Sequence, residues 1–403
     1  MKINQNTFKI LFILLLVLTG IQLTYNLVCT FLNEGLAYRW FLFDPADRFA
    51  DLLKTSNCWK IHETWPYSKW EYGPKSIACH PPLQAVIYLF FSILCKTLSP
   101  LIQDSRIVYF LLQLFAVSRI YLVCKRNKYF LFLFLIFISN YGFLMLFDRA
   151  NVLFIALPFT LISFTTENQF KAAAYLAIST SIKIVPALFI LFILFKFKNN
   201  WKKIIINFIL CLLIINILSI IILYFYYKSI FIEYNFNLYL EAAKINLNRY
   251  LIQGGGSAYS SSLMTLISYI VMNFSFLSEL KFIFPYLDWI CLIVISCFFF
   301  FIILKYEYFK VNLFKLSLLL ISLIILFTPV TFDYYLSLLA IPLIILKNEI
   351  ELKYFISLLF LLAPKNYFIF HEPIQLYLNP LLLIIIISSI SIDSYTKKIE
   401  VST

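Results

Sequence analysis

The sequence has little charge and very little glycine. Only 13% of its 403 residues are charged, compared with about 25% in a soluble domain. It contains 7 glycines and 3 histidines, and its 8 cysteines include no Cys-x-x-Cys pair. Because metal sites need clustered His, Cys or acidic ligands, we predict no metal and no cofactor. Cys58 and Cys79 are close in sequence and could form a disulfide or remain free thiols.

Apolar and aromatic residues make up most of the sequence. The hydrophobic share is 62%, with 44 Phe and 27 Tyr, compared with about 45–50% apolar residues in soluble domains. The net charge is +13, and the basic residues lie between apolar runs. This arrangement is typical of membrane flanks that meet anionic lipid. The composition therefore excludes a soluble enzyme, a nucleic-acid-binding module and a disordered chain, and it predicts membrane lipids as partners.

Long apolar stretches recur from Ile10–Val28 to Leu376–Ile392, and most approach the length of about 17–25 residues that crosses a bilayer as a helix. Tyr129–Phe147 and Ala172–Phe195 are two of them. Basic clusters near both termini predict that both are cytoplasmic, which requires an even number of crossings. We therefore predict an all-α, polytopic membrane helical bundle of about twelve transmembrane helices.

Two long hydrophilic stretches interrupt this pattern, at residues 29–82 and 228–262. Loops longer than about 12–15 residues in a compact protein are usually functional. The orientation above places both on the extracytoplasmic side. We predict a single integral-membrane domain, 1–403, with its catalytic loop at 29–82 and a second extracytoplasmic loop at 228–262.

The first loop carries three carboxylates, Asp44, Asp47 and Asp51, around Pro45. Asp44 can cap a helix that starts at the proline, and Asp47 and Asp51 then share one face of that helix. A partly desolvated carboxylate at a membrane surface suits a general base for a sugar hydroxyl. A solvated, capped surface helix explains the same residues without any catalytic role.

Two basic residues lie among apolar segments. Arg149, followed by Asn151, can bind phosphate through its planar fork or pair with the adjacent Asp148 at the interface. Lys183 is the only charge between Ala172 and Phe195, and such a residue usually faces a polar cavity. Pro186 follows and predicts a break in the helix.

Two further segments could contribute to a site. Gly254, Gly255 and Gly256 precede a serine-rich stretch and could offer backbone N–H groups to a phosphate or sugar, or form a flexible loop. Asp333 and Tyr334 lie between two apolar segments, where they could cap a helix or close a site.

The order of these elements resembles the GT-C superfamily of membrane glycosyltransferases, and it is most similar to glycosyltransferase family 87. The resemblance rests on short motifs in the family's order, some with substitutions: the first-loop Asp, His80-Pro81-Pro82-Leu83, Arg149-Ala150-Asn151, Ser181-Ile182-Lys183-Ile184-Val185-Pro186, and Thr328-Pro329-Val330-Thr331-Phe332-Asp333-Tyr334-Tyr335. The basic cluster Lys196–Lys203 falls where the family carries basic residues.

This resemblance implies a polyprenyl-phosphate sugar donor, with mannose as the sugar, and a lipid-linked or exported glycan as acceptor. It implies that Asp47 is the general base and that the configuration inverts at the anomeric carbon. It further implies that His80 and the basic and glycine-rich segments contact substrate. The active site would lie on the extracytoplasmic side of a multi-pass protein in the cell membrane.

Two other functions fit a polytopic chain. A lipid or solute transporter explains the spans and Lys183, but transporters are commonly built from repeats, and none is apparent here. A glycan polymerase or ligase of the O-antigen type also has large outer loops. Such enzymes carry paired Arg and a His in a late outer loop, whereas the second loop of this sequence contains Arg249 and no His.

Overall fold

The computed structural model describes residues 5–31, 81–98, 105–127, 129–149, 151–227, 260–274, 276–277, 279, 284, 286–328, 333–346, 350–363 and 374–396. These residues form α-helices and short 3-10 helices, and the described part contains no β-strand. The predicted all-α class is confirmed. The acidic run 44–51, His80, Gly254–Gly256 and both loop cysteines Cys58 and Cys79 lie outside the described residues.

The α-helices of the described part are numbered in chain order. They are α1 (Gln5–Phe31), α2 (Pro82–Leu98), α3 (Ser105–Cys124), α4 (Phe130–Ser139), α5 (Tyr141–Arg149), α6 (Leu153–Thr165), α7 (Gln169–Ile182), α8 (Ile190–Lys196), α9 (Trp201–Tyr227), α10 (Leu263–Asn273), α11 (Leu287–Leu304), α12 (Tyr306–Val311), α13 (Leu313–Phe327), α14 (Ile341–Ile345), α15 (Leu352–Leu362) and α16 (Ile374–Thr396). The 3-10 helices are Val185–Phe189, Lys198–Asn200 and Asp333–Ala340.

Two of the described helices are long and apolar enough to cross a membrane: Trp201–Phe225 within α9, and α16. A third span results if the bent pair α4 and Tyr141–Phe147 counts as one. The other apolar helical stretches of the described part, such as Asn6–Ile21 within α1 and Gln113–Cys124 within α3, are 10–17 residues long. These findings indicate a membrane-associated helical protein.

Helix α9 shows why a bilayer is the suitable solvent. Its most apolar stretch of 18 residues has a mean hydropathy of 3.0. Side chains such as Leu213, Ile214 and Ile217 are more than half exposed in the fold. A continuous apolar surface of this kind is unfavourable in water but not in lipid.

The chain forms two compact units that alternate along the sequence. Unit 1 comprises Met1–Phe41, Asn127–Met145 and Leu247–Thr403, and unit 2 comprises Leu42–Arg126 and Leu146–Asn246. In unit 1, α13 is buried from Lys315 to Leu326 and packs on α16. In unit 2, α7 packs against both α6 and α9. Ala172, Ala173 and Ala177 of α7 are fully buried, and such small residues let helices approach closely.

Two of the predicted apolar spans are interrupted. Tyr129–Phe147 is not one continuous helix, because α4 and α5 meet at Asn140 with a bend of 62°. Ala172–Phe195 is also divided, since α7 ends at Ile182 and a 3-10 helix starts at Val185. Pro186 lies at the start of that 3-10 helix, so the break predicted from the proline is confirmed.

Candidate functional site

The described part of unit 1 contains a buried polar group formed by Ser261, Asp333 and Asn379, here called the Asp333 cluster. The Oγ hydroxyl of Ser261 donates to Oδ1 of Asp333 at 2.6 Å. The Nδ2 amide of Asn379 donates to the same carboxylate oxygen at 3.2 Å and to Oγ of Ser261 at 3.0 Å. All three side chains have no exposed surface. Hydrogen bonds to the charged form offset part of the large cost of burying a carboxylate.

Three separate elements position this cluster. Ser261 directly precedes α10, whose N-cap Ser262 accepts a hydrogen bond from the backbone N–H of Met264 at 3.2 Å. Asp333 is the first residue of the 3-10 helix Asp333–Ala340, and Asn379 lies inside α16. The cluster therefore joins parts of unit 1 that are far apart in sequence.

The serine-rich stretch is part of the fold and not simply a linker. Ser260, Ser261 and Ser262 are all buried. The hydroxyls of Ser260 and Thr265 are 2.9 Å apart, and Oγ of Ser262 donates to the carbonyl of Leu326 at 3.4 Å. The stretch therefore fixes the start of α10 against the end of α13, close to the point where Asp333 is held.

The Asp333 cluster keeps one hydrogen-bonding position open among the described residues. Oδ1 of Asn379 is buried and accepts no hydrogen bond from any of them. Buried polar atoms normally have a partner, so this acceptor suits a bound water or hydroxyl. Tyr334 and Tyr335 follow Asp333 and are nearly buried, with ring centroids 5.0 Å apart.

Gly142 lets α5 approach the same 3-10 helix. A Cβ atom placed there would collide with the backbone nitrogen of Ser337 and would lie 3.1 Å from the carbonyl oxygen of Asp333. Only glycine fits this contact without movement of the backbone. Gly142 therefore helps to position the segment that carries Asp333.

The predicted residues of unit 2 lie at helix ends. Arg149 is the last residue of α5, and Asn151 is buried with its Oδ1 accepting from the N–H of Leu153 at 2.9 Å, at the start of α6. Lys183 directly follows α7, with an extended backbone (φ −139°, ψ 135°) and a half-buried side chain. Asn151 thus has a visible structural role, and its predicted contact with substrate stays a prediction.

The predicted site residues are therefore divided between the units. Asp333 and Tyr334 belong to unit 1, whereas Arg149, Asn151 and Lys183 belong to unit 2. Ser261 and Asn379 were not predicted from sequence. A possible signal for Asn379 is an amide followed by a proline inside an apolar stretch.

Sequence reasoning also missed a charged network in unit 1. Nζ of Lys315 lies 2.9 Å from Glu351 and 2.5 Å from Asp393, and Nζ of Lys353 lies 2.8 Å from Asp393 and 3.2 Å from Glu351. The hydroxyl of Tyr354 donates to Asp393 at 2.8 Å. Two cations thus face two anions, and the network ties α13, α15 and α16 together. Its balanced charge favours a structural role.

The described residues contain no group of three or more His, Cys, Asp and Glu side chains able to hold a metal. The absence of a metal in the whole protein stays a prediction. No protein-family model matches the sequence, and no curated protein does so either.

Proposed function

We propose that this protein is an integral-membrane glycosyltransferase of the GT-C type. It moves a hexose, with mannose as the first candidate, from a polyprenyl-phosphate sugar to a hydroxyl of a lipid-linked or exported glycan. The shorter apolar helices then belong to a bundle of about twelve spans, and the active site lies on the extracytoplasmic side of the cell membrane.

The Asp333 cluster is the observation that carries this proposal. The serine stretch that follows the glycine turn meets the Asp333-Tyr334 motif selected from sequence, through the 2.6 Å hydrogen bond between Ser261 and Asp333. A buried carboxylate is costly inside an apolar helical protein and commonly marks a functional site. The helix break at Lys183, another element of the same motif order, supports the proposal.

The reaction needs one base and one cationic site. The carboxylate of Asp47 accepts the proton of the acceptor hydroxyl as that oxygen attacks the anomeric carbon. The bond between this carbon and the phosphate oxygen breaks on the opposite face, so the configuration inverts. Negative charge develops on the departing polyprenyl phosphate, and Arg149 and Lys183 stabilise it there.

The direct test is transfer by the purified full chain. Radiolabelled polyprenyl-phosphate-mannose and extracted membrane glycolipids are supplied, and a new labelled glycan is expected. Asp47→Asn removes the base and should abolish turnover with unchanged protein yield. Glu307→Gln is the matched control, because Glu307 is exposed and pairs with Lys310 on its own helix. Product formation by Asp47→Asn at the unsubstituted rate would remove Asp47 from the base role.

A transporter is the second candidate, favoured by the broken helix at Lys183. Discontinuous helices commonly surround transporter binding sites. The same labelled donor discriminates the two functions in reconstituted vesicles. A transporter moves the label across the bilayer without forming a new glycosidic bond, whereas a transferase forms that bond.

A further inference from the structure

Unit 2 has an open cavity at the start of α9, here called the amide cavity, with both polar and apolar residues in its lining. Its volume is about 680 Å³, within the range of about 300–1,000 Å³ usual for ligand pockets. Amide side chains dominate its polar lining, together with one cation and one carboxylate. These residues are Asn168, Gln169, Asn200, Asn207, Lys203 and Glu167.

The charge of the amide cavity favours an anion. Glu167 has its own partner, because Nζ of Lys196 lies 3.4 Å from its Oε1. Lys203 is exposed and forms no salt bridge with any residue that the structure describes. Amide donors beside a lysine with no carboxylate partner match the oxygen atoms of a phosphate.

The amide cavity continues into an apolar surface on the same face of α9. Lys203 and Asn207 are one turn apart, and Leu210, Ile214 and Ile217 follow at the helical spacing of three and four residues. These three apolar side chains are 51%, 55% and 53% exposed. One helix face therefore presents a polar pocket followed by an open hydrocarbon surface.

The position of this face relative to a bilayer follows from the same helix. Trp201–Phe225 is a candidate span, and Trp201 is 52% exposed at its start with Nζ of Lys202 5.5 Å from the ring centroid. Tryptophan and lysine are the usual residues at the level of lipid headgroups. The amide cavity therefore lies at headgroup depth when α9 spans the membrane.

We propose that the amide cavity binds the phosphate-bearing headgroup of an anionic membrane glycerolipid, with an acyl chain along Leu210, Ile214 and Ile217. Lys203 contacts the phosphate, and the amides bind the glycerol or headgroup oxygens. A soluble phosphate would contact the polar residues of the cavity but not the adjacent apolar surface of α9. A lipid contacts both, so the lipid is favoured. This inference does not depend on glycosyl transfer.

The test measures lipid binding to the full chain in detergent by native mass spectrometry. Phosphatidylglycerol should bind more tightly than phosphatidylcholine, and Lys203→Gln should weaken phosphatidylglycerol binding about fivefold with phosphatidylcholine unchanged. Lys203→Arg should retain the binding, because it keeps the charge. The melting temperature of each variant establishes that the fold is intact.

Lys202→Gln is the matched control, since it removes the same charge from the neighbouring position, which does not line the cavity. It should weaken binding by less than about twofold. Equal losses for Lys202→Gln and Lys203→Gln would overturn the proposal in favour of general electrostatic attraction. Glycerol 3-phosphate binding as tightly as phosphatidylglycerol would assign the cavity to a soluble ligand. No preference for the anionic lipid would remove the site.

Discussion

The helix break at Asn140 and the helix break at Lys183 differ in the interactions of the residue at the break. At Asn140 one neutral, fully buried side chain hydrogen-bonds to the backbone of both helices: its Oδ1 accepts from the N–H of Phe143 at 2.9 Å, and its Nδ2 donates to the carbonyl of Phe137. At Lys183 the chain leaves α7 in an extended conformation, and the next residue, Ile184, is 52% exposed.

This difference separates a structural break from a candidate binding break. A neutral amide that satisfies free backbone groups stabilises the bend by itself. A cation within an apolar segment adds a cost, and such residues usually line a polar cavity or meet an anion. Substitutions at the first break should therefore change stability, and those at the second should change ligand binding.

The largest loss of stability is expected for Gly142→Ala, beside the Asn140 break. The added Cβ would collide with the backbone nitrogen of Ser337, and backbone cannot rotate away as a flexible side chain can. We expect the free energy of unfolding to fall by about 3 kcal/mol, near the upper end for overpacked sites. Thermal unfolding of the purified protein measures this change.

Gly20→Ala is the control for that experiment. Gly20 lies inside α1, and an added Cβ there meets no atom within 4 Å. Alanine favours a helix over glycine by roughly 0.5–1 kcal/mol, so this variant should be slightly more stable than the parent. Equal stability of the two variants would show that the contact between α5 and the 3-10 helix is not tight.

A smaller loss is expected for Asn140→Ala. The substitution leaves the N–H of Phe143 without its side-chain acceptor, and loss of a capping group costs about 1–2 kcal/mol. Asn273→Ala serves as control, because exposed Asn273 bonds within its own helix, to the carbonyl of Tyr269, and to no other residue of the described part. Unfolding midpoints of the two variants should differ clearly. Coincident midpoints would mean that the cap does not hold the bend.

The two breaks also show how far sequence predicts this fold. Apolar composition was sufficient for the all-α class, and Pro186 marks the second break because proline removes a helical hydrogen bond. No proline marks the first break. Its cause is a buried amide combined with the crowding of Gly142 against Ser337, and such contacts depend on tertiary packing that no local pattern encodes.

The same reason explains what was missed in the candidate site. Ser261 and Asn379 are separated by 118 residues. A local sequence pattern therefore cannot show that the two side chains meet. The sequence indicates Asp333 because a carboxylate between two apolar segments can cap a helix or close a site. Lys315 has the sequence pattern of a basic residue at a membrane flank, whereas the fold buries it between Glu351 and Asp393. A basic flank and a buried ion pair have the same sequence pattern.

The smallest change in stability is expected for Lys183→Ala, at the second break. The backbone N–H of Lys183 still donates to the carbonyl of Ser179 after the substitution, so the end of α7 persists. Affinity for polyprenyl-phosphate-mannose should fall by about tenfold, because one charge-assisted contact to phosphate is lost. Ile184→Ala alters the same break without a charge and should keep donor affinity. If Lys183→Ala also binds donor normally, the cation is only a feature of the break, and the contrast with Asn140 disappears.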